Sequence, residues 1–153
     1  MPTSFSQLHV HLVTAVHYRA ALIQPAWQEK LHQYITGIVR GKGQRLIQIN
    51  TMPDHMHALI GMRPSLAPSD LIRDIKSNSS KWINDQGFCA HRFEWQDGFA
   101  LFSVSKDRVP VVARYIENQQ RHHLKKGFLD EFRELLIAEG LEFDPKYLFY
   151  EPR

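Results

Sequence analysis

Residues 45–62 constrain the fold of this chain more than any other stretch. Arg45 to Met52 carries Leu46, Ile47 and Ile49 in a strand-like run, Pro53-Asp54 breaks it, and His55 to Met62 begins a second run through Ala58-Leu59-Ile60. A two-residue break joins two strands only as a hairpin, so the pair must be antiparallel. A helix is expected before it. Trp27, Leu31, Tyr34 and Ile38 fall on one helical face, Pro25 suits the first turn, and Gly41 and Gly43 stop the helix.

The remaining elements follow from the same signals. Leu8 to Val16 reads as a first strand, with Val10 and Leu12 alternating with His9 and His11. Ser69 is placed to cap a second helix, whose buried stripe is Leu71, Ile72, Ile75, Ser79, Trp82 and Ile83 and whose end is Gly87. Phe99 to Ser105 reads as a fourth strand. Asp107 or a neighbour is expected to cap a third helix from about Val109 to Lys125, and Leu129 to Glu139 reads as a short last helix. The order strand, helix, strand, strand, helix, strand predicts an α+β, ferredoxin-like βαββαβ domain. It should have a four-stranded antiparallel sheet, and the extra C-terminal helix is where function is expected, as the catalytic helix of the resemblance given below. The whole chain, 1–153, is expected to be one domain, with a core of about 5–126 and a helical tail of about 127–153.

His55-Met56-His57 lies in the second hairpin strand. Side chains at i and i+2 of a strand share a face, so both imidazoles can converge on one metal ion while Met56 enters the core. Nine histidines in 153 residues give roughly half such a pair by chance. The chain holds a second pair, His9-Val10-His11, so context must separate them. Cys89 is the single cysteine, which excludes an internal disulfide and a cysteine-built zinc site. No apolar run reaches membrane-spanning length and Met1-Pro2-Thr3-Ser4 shows no signal-peptide pattern, so a cytoplasmic protein without membrane contact is expected.

A net charge of +3 is compatible with a nucleic-acid partner without demanding one. Arg45, Lys76, Lys81, Arg92, Lys106, Arg108 and Arg121 are the candidate phosphate contacts, each more ordinarily a solvated surface charge. Tyr115 and Gln119, four residues apart on the predicted third helix, share one face. Two strand histidines and an oxygen donor form a partly filled coordination sphere that suits a divalent cation. A tyrosine is a poor nucleophile at its ordinary pKa of about 10. It becomes useful where a metal polarises a phosphate.

Three segments then carry a resemblance, in order: Met52-Pro53-Asp54-His55-Met56-His57-Ala58-Leu59-Ile60, Trp95 to Ser105, and Tyr115-Ile116-Glu117-Asn118-Gln119. With His11 to Arg19, they make the chain similar, from about Phe5 to Leu148, to the single-tyrosine HUH transposases of the insertion sequence 200/605 family. Ala15 and His17 depart from that family's first strand, which has tryptophan and lysine there. The resemblance implies metal-dependent cleavage and rejoining of hairpin-bearing single-stranded DNA at insertion-sequence ends. Tyr115 would attack the phosphate to give a 5′-phosphotyrosine and a free 3′-OH. His55, His57 and Gln119 would bind Mg²⁺ or Mn²⁺, and a homodimer would share active sites between subunits. His9-Val10-His11 has no counterpart in the family's site and is read as surface histidines.

Other readings stand beside this one. A related domesticated enzyme would act on repetitive extragenic palindromes, although the short tail and the Tyr-Ile-Glu-Asn-Gln pattern favour the mobile-element type. A non-catalytic ferredoxin-like module would bind single strands by stacking and phosphate contact. A zinc hydrolase would need a third strong ligand, for which His122 and His123 are the candidates.

Overall fold

The computed structural model describes residues 4–122 and 127–141. Four strands, β1 (Leu8–Ala15), β2 (Arg45–Met52), β3 (His55–Met62) and β4 (Ala100–Ser103), form one sheet in the order β2-β3-β1-β4. Every neighbouring pair is antiparallel. With helices α1 (Pro25–Gly41) and α2 (Pro68–Gln86) between strands, this is the ferredoxin-like α+β arrangement that the element order predicts. The hairpin strands occupy the expected residues. β4 is shorter than expected, because pairing with β1 ends at Ser103 opposite Val10.

Strand alternation divides the side chains between two faces. On one face Leu12, Met56, Ala58 and Ile60 meet α1 and α2, which contribute Trp27, Leu31, Ile35, Ile72, Ile75 and Ile83. Each such aliphatic side chain, fully buried, contributes about 1.5–3 kcal/mol. The stripe of α1 is Trp27, Leu31, Ile35 and Val39. Tyr34 and Ile38 flank it, with Tyr34 stacked on Trp82 at a centroid distance of 4.6 Å. α2 starts two residues earlier than a Ser69 cap would allow. Ala67 is the cap and Pro68 the first helical residue, where its missing N–H is no loss. Gly87 ends α2 at φ 69°, a left-handed geometry that glycine adopts without strain.

The other face carries His11, Val13 and Ala15 from β1 and His55, His57 and Leu59 from β3, because Val13 pairs with His57 and Ala15 with His55. Two helical groups cover it. α5 (Phe128–Ala138) lays Phe128, Phe132 and Leu136 on Val13, Ala15, Ala100 and Phe102. The helix expected in the tail is thus packed into a second core.

The expected third helix is broken. A 3₁₀ turn over Lys106–Arg108 leads into α3 (Val109–Glu117), Asn118 leaves helical geometry, and α4 (Gln119–His122) follows. Its expected end at Lys125 lies outside the described residues. The cap of α3 is Arg108, a neighbour of Asp107 as expected. A side chain from β2 accounts for the break. Asn50 Nδ2 donates to the carbonyls of Ile116 (2.9 Å) and Glu117 (3.2 Å), taking acceptors that a continuous helix would use itself. Asn50 and Gln120 also exchange amide hydrogen bonds at 2.8 and 3.0 Å.

Asn50→Ala removes this clamp and takes the amide partner from the buried Ile116 carbonyl. We expect a loss of about 1–3 kcal/mol in urea unfolding, with faster amide exchange confined to residues 109–122. Unchanged exchange there would show that Asn50 does not hold the segment.

Candidate metal centre and tyrosine

The tight turn at Pro53-Asp54 sets the register of β3, and β3 sets the histidines. Both His55 and His57 are completely buried. His55 Nδ1 meets Asp54 Oδ1 at 2.7 Å and its ring stacks on Phe128 at 3.9 Å. Burial alone would raise the Asp54 carboxyl; the hydrogen bond and charge of His55, with help from Arg19, outweigh it and hold the carboxyl below its ordinary range. Arg19 lies 3.9 Å from Asp54 and 5.9 Å from the centre of the Phe128 ring. Tyr18 and Arg19 occupy left-handed backbone at φ 56° and 51°. That costs each about 1–2 kcal/mol, and it brings Arg19 to the site.

His57 is held from both ends. Its Nδ1 shares a hydrogen bond with His11 Nε2 at 2.9 Å, and its Nε2 lies 3.1 Å from Glu131 Oε1 on α5. Ligand atoms of His55, His57 and Glu131 all lie within 4.8 Å of one another. Two imidazoles and a carboxylate on one side fit a divalent cation in both donor type and spacing, and the imidazoles favour a transition metal over Mg²⁺.

Tyr115, on α3, meets His57 edge-on at a centroid distance of 5.8 Å and His11 at 6.2 Å. These are histidines of its own chain. Burial raises the phenol well above its ordinary pKa, the Glu131 charge and hydrogen bond add to the rise, and a hydrogen bond from Gln119 opposes it. Gln119 is fully buried, and its Nε2 donates to the Tyr115 carbonyl at 3.4 Å. The structure therefore gathers His55, His57, Tyr115 and Gln119 in one place.

Two participants are absent from the sequence reading. The expectation that His9-Val10-His11 is a surface pair fails for His11, which is 4% exposed. Burial, then the charge of His57, lowers its pKa to about 3 against the raising effect of Glu131, so the ring stays neutral. A signal existed: His11 shares the β1 face of Val13, the residue that pairs with His57. Glu131 is 74 positions from His57. Its only sequence signal is an acid set between Phe128 and Phe132 on an apolar helix face.

The candidate phosphate contacts do not converge. Arg45 and Lys106 line one groove of about 610 Å³ with His9 and Arg63. Lys76 and Arg92 line another of about 630 Å³ with Arg73. Arg92 is paired with Glu94 and Lys81 with Asp85. Arg108 and Arg121 are exposed and line neither groove. The side chain of His122 and all of His123 lie outside the described residues.

A ferredoxin-like sheet with a two-histidine strand under a tyrosine helix sets two imidazoles, a carboxylate and a phenol in one buried cluster. Comparison with known proteins identifies the family. Residues 4–119 match the family described as "Transposase IS200 like", and the chain belongs to that family. It is 25% identical over 122 residues to the ISDra2 transposase TnpA of Deinococcus radiodurans, covering 74% of this chain and 84% of that one. It is also 32% identical over 139 residues to the tRNA(Met) cytidine acetyltransferase TmcA of Thermococcus kodakarensis, a match that spans 16% of that enzyme. Among solved structures, a D. radiodurans protein described as a transposase superposes with a TM-score of 0.62 at 22% identity, covering 78% of this chain and 95% of that one. A REP-associated tyrosine transposase bound to a REP hairpin gives 0.59 at 16%, covering 80% and 73%. At these identities the two structures support the fold.

In the metal-free protein, Tyr115 should ionise above the ordinary pH 10, read as the phenolate absorbance lost in Tyr115→Phe. Glu131→Gln should bring the midpoint down only part of the way, since burial is the larger cause. A midpoint at the ordinary value in the wild type would place the phenol in water.

Proposed function

We propose that this transposase cuts and rejoins single-stranded DNA with Tyr115 as nucleophile, in a metal-dependent reaction at hairpin-bearing insertion-sequence ends. The observation that carries the reading is the packing of Tyr115 against His57 and Glu131 of the same chain, beside a donor set suited to a cation. His55 and His57 would hold Mg²⁺ or Mn²⁺, with Gln119, and with Glu131 as a further ligand. The bound cation would supply charge to polarise the scissile phosphate.

The chain's own residues do the rest. β3 and its turn fix the histidines, and Asn50 fixes the end of α3 so that the phenol stays over them. Glu131 accepts the phenol's hydrogen bond and is placed to hold its proton. Tyr115 Oη then bonds to phosphorus as the bond from phosphorus to the 3′-oxygen breaks. The 3′-oxygen takes a proton from solvent, leaving a 3′-OH and a 5′-phosphotyrosine that retains the bond energy for rejoining. The hairpin-bound relative supports a hairpin substrate here. Exposed cations such as Arg45 and Lys106 are candidate backbone contacts. The described residues contain no helix long and apolar enough to cross a membrane, and a DNA substrate fits a cytoplasmic site of action.

The family resemblance suggests a homodimer with shared active sites. The geometry favours a site completed in one chain, because α3 already brings Tyr115 to its own histidines. A mixture of Tyr115→Phe and His57→Ala proteins should therefore stay inactive on a hairpin-bearing strand. Restored cleavage would establish shared sites.

Tyr115→Phe should abolish the covalent protein–DNA adduct, read as a shifted band on a denaturing gel, and His57→Ala should abolish the adduct that Mn²⁺ supports in the wild type. An adduct that persists in Tyr115→Phe would remove Tyr115 as the nucleophile. Binding of single strands without cleavage under any metal would favour a non-catalytic module.

A further inference from the structure

The proposed chemistry gives His11 no task, yet the ring is buried and closely surrounded. His57, Phe102 and Tyr115 stand 5.1, 5.8 and 6.2 Å from it, centroid to centroid. The β1–β3 register sets it diagonally across from His57 on the same face of the sheet, within reach of a long or aromatic side chain. The 2.9 Å hydrogen bond joins its Nε2 to His57 Nδ1.

We infer that His11 is a positioning residue for the metal centre, turning His57 so that Nε2 faces Glu131 and Tyr115. This rests on the reading that His55 and His57 hold a divalent cation. A neutral imidazole that gives one nitrogen to a metal carries its proton on the other, and that N–H needs an acceptor. For His55, Asp54 fills this place. His57 already faces the Glu131 carboxylate at Nε2, and a second carboxylate at Nδ1 would set two negative charges about one buried ring.

His11 fixes the ring without adding charge. It also works in both states of the centre, since an imidazole nitrogen can donate or accept. When the His57 proton faces Glu131, His11 donates to Nδ1. When the Nε2 lone pair is engaged by a cation, Nδ1 donates to His11. A carboxylate could only accept, and a lysine or arginine could only donate.

The test compares His11→Leu, which keeps bulk and removes the hydrogen bond, with His11→Gln, whose amide can donate or accept. Calorimetry reads Mn²⁺ affinity. Nitrogen-15 NMR of ring-labelled, metal-free protein reads the His57 tautomer, assigned by loss in His57→Gln. Urea unfolding confirms that the variants fold, and His11→Asn, whose shorter amide stops short of Nδ1, replaces His11→Leu if that one does not.

We expect Mn²⁺ affinity to fall 10–100-fold in His11→Leu, its His57 to become a tautomer mixture, and His11→Gln to restore both. A folded His11→Leu protein with affinity within about twofold of wild type and an unchanged tautomer would overturn the inference. So would a His11→Gln protein as defective as His11→Leu. If the wild type binds no Mn²⁺, the metal reading falls by itself. The metal-free tautomer then judges His11: a mixture in His11→Leu supports positioning, and an unchanged tautomer overturns it.

Discussion

The β1–β3 register is the constraint on which the site depends. Val13 opposite His57 and Ala15 opposite His55 put both imidazoles on the face that α3 and α5 cover. Strand alternation has a period of two, so a slip of one residue would send Met56 to that face and the histidines into the α1–α2 core. The apolar partners Met56, Ala58 and Ile60 make such a slip costly, because each would leave a fully packed position. The same hydrophobic pattern that builds the main core therefore aims the candidate metal ligands. The register chooses the face, and hydrogen bonds from Asp54, His11 and Glu131 then hold the individual rings.

Much of this was legible in the sequence, for physical reasons. The hairpin was clear because Pro53-Asp54 allows only a short reversal, and β2 and β3 fill the residues expected. α1 and α2 were clear because their apolar spacing runs for several turns. The break at Asn118 was hidden because periodicity continues across it. Its cause is a side chain from β2, so it is a tertiary effect written 66 positions away. The site divides in the same way. His55, His57, Tyr115 and Gln119 sit in recognisable segments. His11 was misjudged because a strand read alone does not say which face is covered. Glu131 was invisible because one acid on an amphipathic helix acquires meaning only when that helix docks.

The site is also a buried polar cluster, and such clusters are stable only when their members satisfy one another. Asp54 serves His55, His11 and Glu131 serve His57, and Gln119 and Glu131 serve Tyr115. This mutual dependence makes α5 more than a cover for the second core. It carries Phe128 against one histidine and Glu131 against the other. Loss of its docking would therefore disturb the electrostatics of Tyr115 together with the packing of the sheet.

The interruption at Asn118 has a mechanical consequence. Tyr115 and Gln119, on one face of an unbroken helix, would move as a single rigid body. Here they belong to α3 and α4, joined through one non-helical residue. A rotation about that joint can carry the phenol while the glutamine stays seated. No helical turn has to unwind for such a motion. What opposes it is the burial of Ile116, the Gln119 bond to the Tyr115 carbonyl and the amide contacts to Asn50.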